Sequence, residues 1–130
     1  MPPEASRYAA EWLRVAQKDF ARVEHLLSVE DAEAAGFYLQ QAVEKFLKAF
    51  LIASGWTLER VHDLEVLLNA AITYDRSLEP FRAVCQKITG FYFVERYPDV
   101  VGESLAEDDV RQAMEQVRTL IETVKAKMAH

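Results

Sequence analysis

The sequence predicts an all-α protein, an antiparallel up-and-down bundle of four to five helices, and three observations carry that reading. Apolar residues recur at steps of three and four along most of the 130 residues, the period of an amphipathic helix rather than the alternation of a strand. Only four glycines and four prolines punctuate the chain, which favours long helices joined by short connections over a turn-rich β architecture. Hydrophobic residues make up 51% and charged residues 28%. At this length roughly two thirds of the unfolded surface can be buried, enough for one domain over residues 1–130 with a core that needs no staple.

The elements follow in chain order. Leu13, Ala16, Phe20, Val23 and Leu27 step along one face while Arg14, Lys18, Arg22 and His25 occupy others, which gives a first amphipathic helix. A second is expected from about Ala34 to Ser54, ended by Gly55 at the left-handed position after the cap. Its inward face, Leu39, Ala42, Val43, Phe46, Phe50 and Ala53, is widened by Tyr38, Leu47 and Leu51, leaving Gln41, Glu44, Lys45 and Lys48 on a narrow polar stripe. A helix this apolar needs neighbours on most sides. A short third helix, about Asp63 to Ile72, buries Leu64, Leu67, Leu68 and Ala71, with Asp63 placed to cap it. The fourth uses Leu78, Phe81, Cys85, Ile88 and Tyr92. Ser104 and Glu107 have capping-box spacing before the last helix, whose core face runs through Val110, Met114, Val117, Ile121, Val124 and Met128.

Composition excludes several classes of function. The single Cys85 cannot form an internal disulfide and falls at core spacing between Phe81 and Ile88, so it reads as a small buried hydrophobe and the compartment as cytoplasmic. No uncharged segment exceeds ten residues, as in Ala49 to Leu58, against the roughly 20 needed to span a bilayer. The N-terminal MPPEASRYAAEW lacks the apolar run of a secretion signal and is expected to stay with the protein. A net charge of −6 opposes broad attraction to nucleic acid backbones.

Candidate chemistry is sparse. Gln41, Lys45 and Lys48 stack at i, i+4 and i+7 on the second helix and could meet a phosphate or a partner's carboxylates, although a solvated helix face explains the same pattern. Glu59 and His62 have the Glu-x-x-His spacing of di-iron bundles, but such sites need two pairs and two more inward glutamates, so no metal site or other cofactor is expected. There is no glycine-rich phosphate loop, Cys-x-x-Cys pair or Gly-x-Ser-x-Gly elbow, and no catalytic residue is assigned. The stretch FYFVERYPD at 91 to 99 breaks the helical pattern, because Pro98 disfavours helix at Tyr97. It is either a hinge or a site that presents Arg96, Tyr97 and Asp99.

Taken together, AGFYLQQAVEKFLKAFLIASGW at 35 to 56, VHDLEVLL at 61 to 68 and ERYPD at 95 to 99 resemble the HEPN domain family, named for nucleotide binding in prokaryotes and higher eukaryotes. The resemblance covers almost the whole chain and implies a bundle of four or five helices, often a homodimer. Family members of this type commonly pair with a separate minimal nucleotidyltransferase, often as a two-gene toxin–antitoxin module. Other members are metal-independent ribonucleases built on an Arg-x4-6-His motif. Here Arg14 precedes His25 by eleven residues, Arg60 precedes His62 by two and Arg118 precedes His130 by twelve, so that motif is absent.

The expectation is therefore a nucleotide- or partner-binding subunit that performs no chemistry alone. Its binding residues would be Gln41, Lys45, Lys48, His62, Asp63, Arg96, Tyr97 and Asp99. Two rivals remain: a ribonuclease with displaced residues, using His62 and Arg96, and a plain helical dimerisation module.

Overall fold

A computed structural model describes residues 3–96 and 105–129. Its elements are α1 (Pro3–Ser28), α2 (Ala32–Ala53), α3 (Leu64–Tyr74), a 3-10 helix (Arg76–Phe81), α4 (Arg82–Arg96) and α5 (Glu107–Met128), with no strand among the described residues. The all-α bundle predicted from periodicity is what forms.

The first helix is longer than its apolar stripe suggested. It begins at Pro3, a residue suited to the first helical position because its missing N–H would have no intrahelical partner there. Ala9 then extends the buried row of Ala16, Val23 and Leu27. A tight turn at Glu30 (φ 62°) reverses the chain, with Asp31 N–H donating to the Leu26 carbonyl at 2.9 Å and the Asp31 carboxylate accepting from Ala34 N–H at 3.2 Å. The two helices run antiparallel, because contacts rising along α1 fall along α2: Trp12 meets Lys48, Phe20 meets Phe46, and Arg22 lies over Tyr38.

The second helix is the axis of the bundle. Fifteen of its 22 residues are buried, and it packs against α1, α3, α4 and α5. The neighbours that so apolar a helix needs are thus supplied within one chain, and α2 by itself does not call for a second copy. Ser54 caps it and Gly55 takes φ +103°, so Trp56 N–H reaches the Leu51 carbonyl at 2.9 Å and Gly55 N–H the Ile52 carbonyl at 3.1 Å. At the other end, Gly36 gives Phe91 and Leu105 a close approach: a Cβ there would stand 2.5 Å from Leu105 Cδ2 and 3.0 Å from Phe91 Cβ.

Asp63 caps α3, its carboxylate accepting from Glu65 N–H at 2.9 Å. The fourth segment differs from the periodicity reading. Leu78 and Phe81 lie in the 3-10 helix, because Pro80 has no N–H and its ring would clash with the carbonyl four residues back in an α-helix. Asp75 starts that turn by accepting from Ser77 N–H at 3.0 Å and Ser77 Oγ at 2.7 Å.

The last helix corrects the predicted capping box. Its cap is Ala106, which offers no side chain, and Glu107 is the first helical residue rather than the third, so its carboxylate pairs forward with Arg111 at 3.1 Å. Glu107, Asp108 and Asp109 compensate by placing negative charge at the positive end of the helix dipole. Ser104 lies outside the described residues. One continuous core joins α1 to α5 through residues such as Val23, Phe46, Leu67, Ile88 and Val117.

Candidate functional site

The polar stripe of α2 is roofed by α1 and by the connection that leads to α3. Gln40, Glu44 and Lys48 are 3–4% exposed and Asp19, facing them from α1, is 1% exposed. A solvated helix face does not describe this arrangement, because burying these groups is tolerable only if each finds a partner. Each does, at two neighbouring nodes.

The first node is Asp19. Its carboxylate accepts from Arg22 Nη1 at 2.7 Å, one turn along α1, and from the ammonium of Lys45 on α2. The second node is Glu44. Oε2 accepts from Lys48 Nζ at 3.0 Å and from His62 Nδ1 at 3.1 Å, and Oε1 accepts from Gln40 Nε2 at 3.3 Å. Gln40 also donates to the His62 carbonyl at 3.3 Å, and Gln41 Nε2 donates to Gln40 Oε1 at 2.6 Å. The connection before α3 is therefore latched to α2 through both the side chain and the backbone of His62.

The geometry fixes the histidine's chemistry. A carboxylate only accepts, so Nδ1 carries the proton in this contact and Nε2 is the ring nitrogen left outside the network. The side chain is 77% exposed while the carboxylate holding it is 4% exposed. Lys48 closes the node from the other side, its ammonium lying 5.2 Å from the centroid of the Trp12 ring, a distance that suits a cation–π contact. Arg22, Lys45 and Lys48 face Asp19 and Glu44, so with a neutral imidazole the two nodes carry one excess positive charge in a protein of net charge −6.

Of the residues that the sequence singled out, Gln41, Lys48 and His62 are thus brought together at the Glu44 node, while Lys45 pairs with Asp19 at the other. Asp63 adjoins His62 but its carboxylate caps α3. Arg96 is the last residue of α4, and its side chain, with Tyr97 and Asp99, lies outside the described residues. Sequence reasoning missed Asp19, Gln40 and Trp12. Asp19 carried a signal, since it stands three residues after Ala16 and four before Val23, on the edge of the buried face where a charge requires a partner.

His62 turns towards Glu44, and among the described residues no three His, Cys, Asp or Glu side chains are placed to hold a metal ion. Cys85 is buried, and burial pushes its thiol up to about 12. No described helix is long and apolar enough to cross a membrane.

Comparison with known proteins gives one finding. The family model of the HEPN domain matches residues 9–127. No curated protein and no solved structure matches the chain.

Proposed function

The chain belongs to the HEPN domain family, and from that premise we propose that it is a dimeric, noncatalytic binding subunit. It takes a nucleotide or docks a separate minimal nucleotidyltransferase, as one half of a cytoplasmic toxin–antitoxin-type module. The observation that supports this reading most is the held charge of the α2 stripe. Lys45 and Lys48 are fixed by Asp19 and Glu44 rather than waving in solvent, and one positive charge is left over. A cation whose side chain is already ordered loses little entropy when an anion arrives, which is the advantage of a preorganised phosphate or carboxylate site. Gln41 and the Nε2 of His62 supply further hydrogen-bonding groups beside it. The reading also counts Arg96, Tyr97 and Asp99 among the binding residues, a guanidinium fork suiting a phosphate and a tyrosine ring a base, at side chains that lie outside the described residues.

Calorimetric titration of ATP tests the reading. Lys45→Gln and Arg96→Ala should each weaken binding by about ten- to a hundredfold, the worth of one charge-assisted contact. Absence of heat with ATP, GTP and a cognate nucleotidyltransferase alike would refute it. Dimerisation is tested by sedimentation equilibrium: a single 14.9 kDa species across micromolar concentrations contradicts the homodimer.

A second reading has its own observation. Glu44 holding His62 Nδ1 at 3.1 Å is the carboxylate–histidine arrangement that orients a general base, as the ribonuclease alternative requires. Single-stranded RNA and transfer RNA, incubated with the protein with and without divalent metal, should remain intact. Cleavage that disappears in His62→Ala would favour the ribonuclease.

A further inference from the structure

On the flank of α1 turned away from the core, Tyr8, Glu11, Trp12 and Val15 line an open groove of about 360 Å³, closed at one side by Lys45 of α2. Tyr8, Trp12 and Val15 fall at i, i+4 and i+7, a stripe separate from the buried row of Ala9, Ala16 and Val23. The wall is almost wholly apolar. Tyr8 is 52% exposed, and Glu11, the acidic group at the rim, is neutralised by Arg14 at 2.5 Å.

Two contacts tie this groove to the polar network. Lys45 both lines it and pairs with Asp19. Trp12 forms its floor while its ring meets the ammonium of Lys48, which in turn reaches Glu44 and, through it, His62. An apolar slot with two aromatic side chains therefore opens beside Lys45, which shares the single carboxylate of Asp19 with Arg22, so that this node holds the excess positive charge. That pairing of chemistries matches a ligand with a planar aromatic end and an anionic end. Aromatic rings stack on any base because every base has a π-face, and a volume of this size lies within the range of small-molecule sites, roughly 300–1,000 Å³.

We propose that the Tyr8–Trp12–Val15 groove is the base-receiving half of a nucleotide site whose phosphate end meets Lys45. The proposal rests on the nucleotide-binding reading above and adds to it the element that holds the base, α1, and the residues that do so. Tyr8 and Trp12 supply the stacking faces, Val15 the apolar side wall, and Lys45 the junction between base and phosphate.

The chain has two tryptophans, Trp12 and Trp56, so Trp56→Phe makes Trp12 the sole indole reporter. Its fluorescence is followed on titration with ATP, adenosine and tripolyphosphate, with calorimetry on the same samples. ATP should quench Trp12 saturably, adenosine should do so at a higher concentration, and tripolyphosphate should compete without quenching. Tyr8→Ala should weaken the ATP effect at least tenfold while leaving the circular dichroism melt in place. If Trp56→Phe fails to fold, 5-fluorotryptophan in the unaltered chain reports Trp12 as one of two resonances. Heat of ATP binding with Trp12 unperturbed would overturn the proposal and leave the nucleotide reading standing. Neither heat nor quenching would overturn both. Quenching by a nucleotidyltransferase but not by ATP would assign the groove to a protein partner and overturn the base site.

Discussion

Removing the Lys48 ammonium is the sharpest perturbation of the buried network. In Lys48→Met the side chain keeps its length and its packing against Trp12, but Glu44 loses the cation 3.0 Å away while remaining 3% exposed. Breaking a buried ion pair from one side typically costs about 3–5 kcal/mol, because the remaining charge is left without a counterion. Here His62 Nδ1 and Gln40 Nε2 still donate to the carboxylate, so the lower end applies, about 3 kcal/mol. For a domain of this size that corresponds to a fall in Tm on the order of 10 °C. Removing both charges in Glu44→Leu/Lys48→Met should recover most of the loss, since an apolar pair of similar volume is often neutral or stabilising relative to a buried ion pair. Urea and thermal denaturation of the two variants and wild type measure the cycle. A loss below about 1 kcal/mol in Lys48→Met, or a double variant as unstable as the single one, would refute the claim that this pair is desolvated and mutually dependent.

Three further outcomes are expected. Gly36→Ala should destabilise by about 1 kcal/mol, the overpacking against Leu105 and Phe91 exceeding the gain in helix propensity; a raised urea midpoint would show that Leu105 simply moves aside. Cys85, its thiol pushed up to about 12 by burial, should resist iodoacetamide at about pH 8 in the folded protein and react on unfolding, as followed by mass spectrometry. The Ser77 hydroxyl bonded to Asp75, helped by Ser77 N–H and Lys127, holds the Asp75 carboxyl below its ordinary 3.8. That depressed value contributes stability above the unfolded-state pKa, lost as pH falls through the folded value, so Asp75→Asn should be less stable at neutral pH and show a shallower acid slope in thermal melts; an unchanged slope contradicts the linkage.

The legibility of the sequence followed what each pattern measures. Periodicity located the helices because burial repeats every three to four residues, and α2 with its Gly55 terminator lies within two residues of the expected bounds. It misread the start of the fourth segment because a 3-10 turn and an α-helix share apolar spacing over one turn, and Pro80 was the only local warning. Capping-box spacing misled at Ser104 and Glu107 because two residue types three apart arise by chance as readily as by design. The site was half legible. The sequence placed Gln41, Lys45 and Lys48 on one stripe but left a solvated face open, because the partners of Lys45 and Glu44 lie 26 residues back and 18 residues on, at Asp19 and His62, and only the folded hairpin and its latch bring them together.

Equilibrium dialysis of radiolabelled ATP, with chromatography of the ligand recovered from the protein side, tests the central claim of a binding subunit without chemistry of its own. The account predicts saturable retention that is reduced about ten- to a hundredfold in affinity by Lys45→Gln, and recovery of the nucleotide unchanged. Retention indifferent to Lys45, a nucleotide returned in altered form, or no retention by a protein that also fails to bind GTP and a cognate nucleotidyltransferase would contradict it.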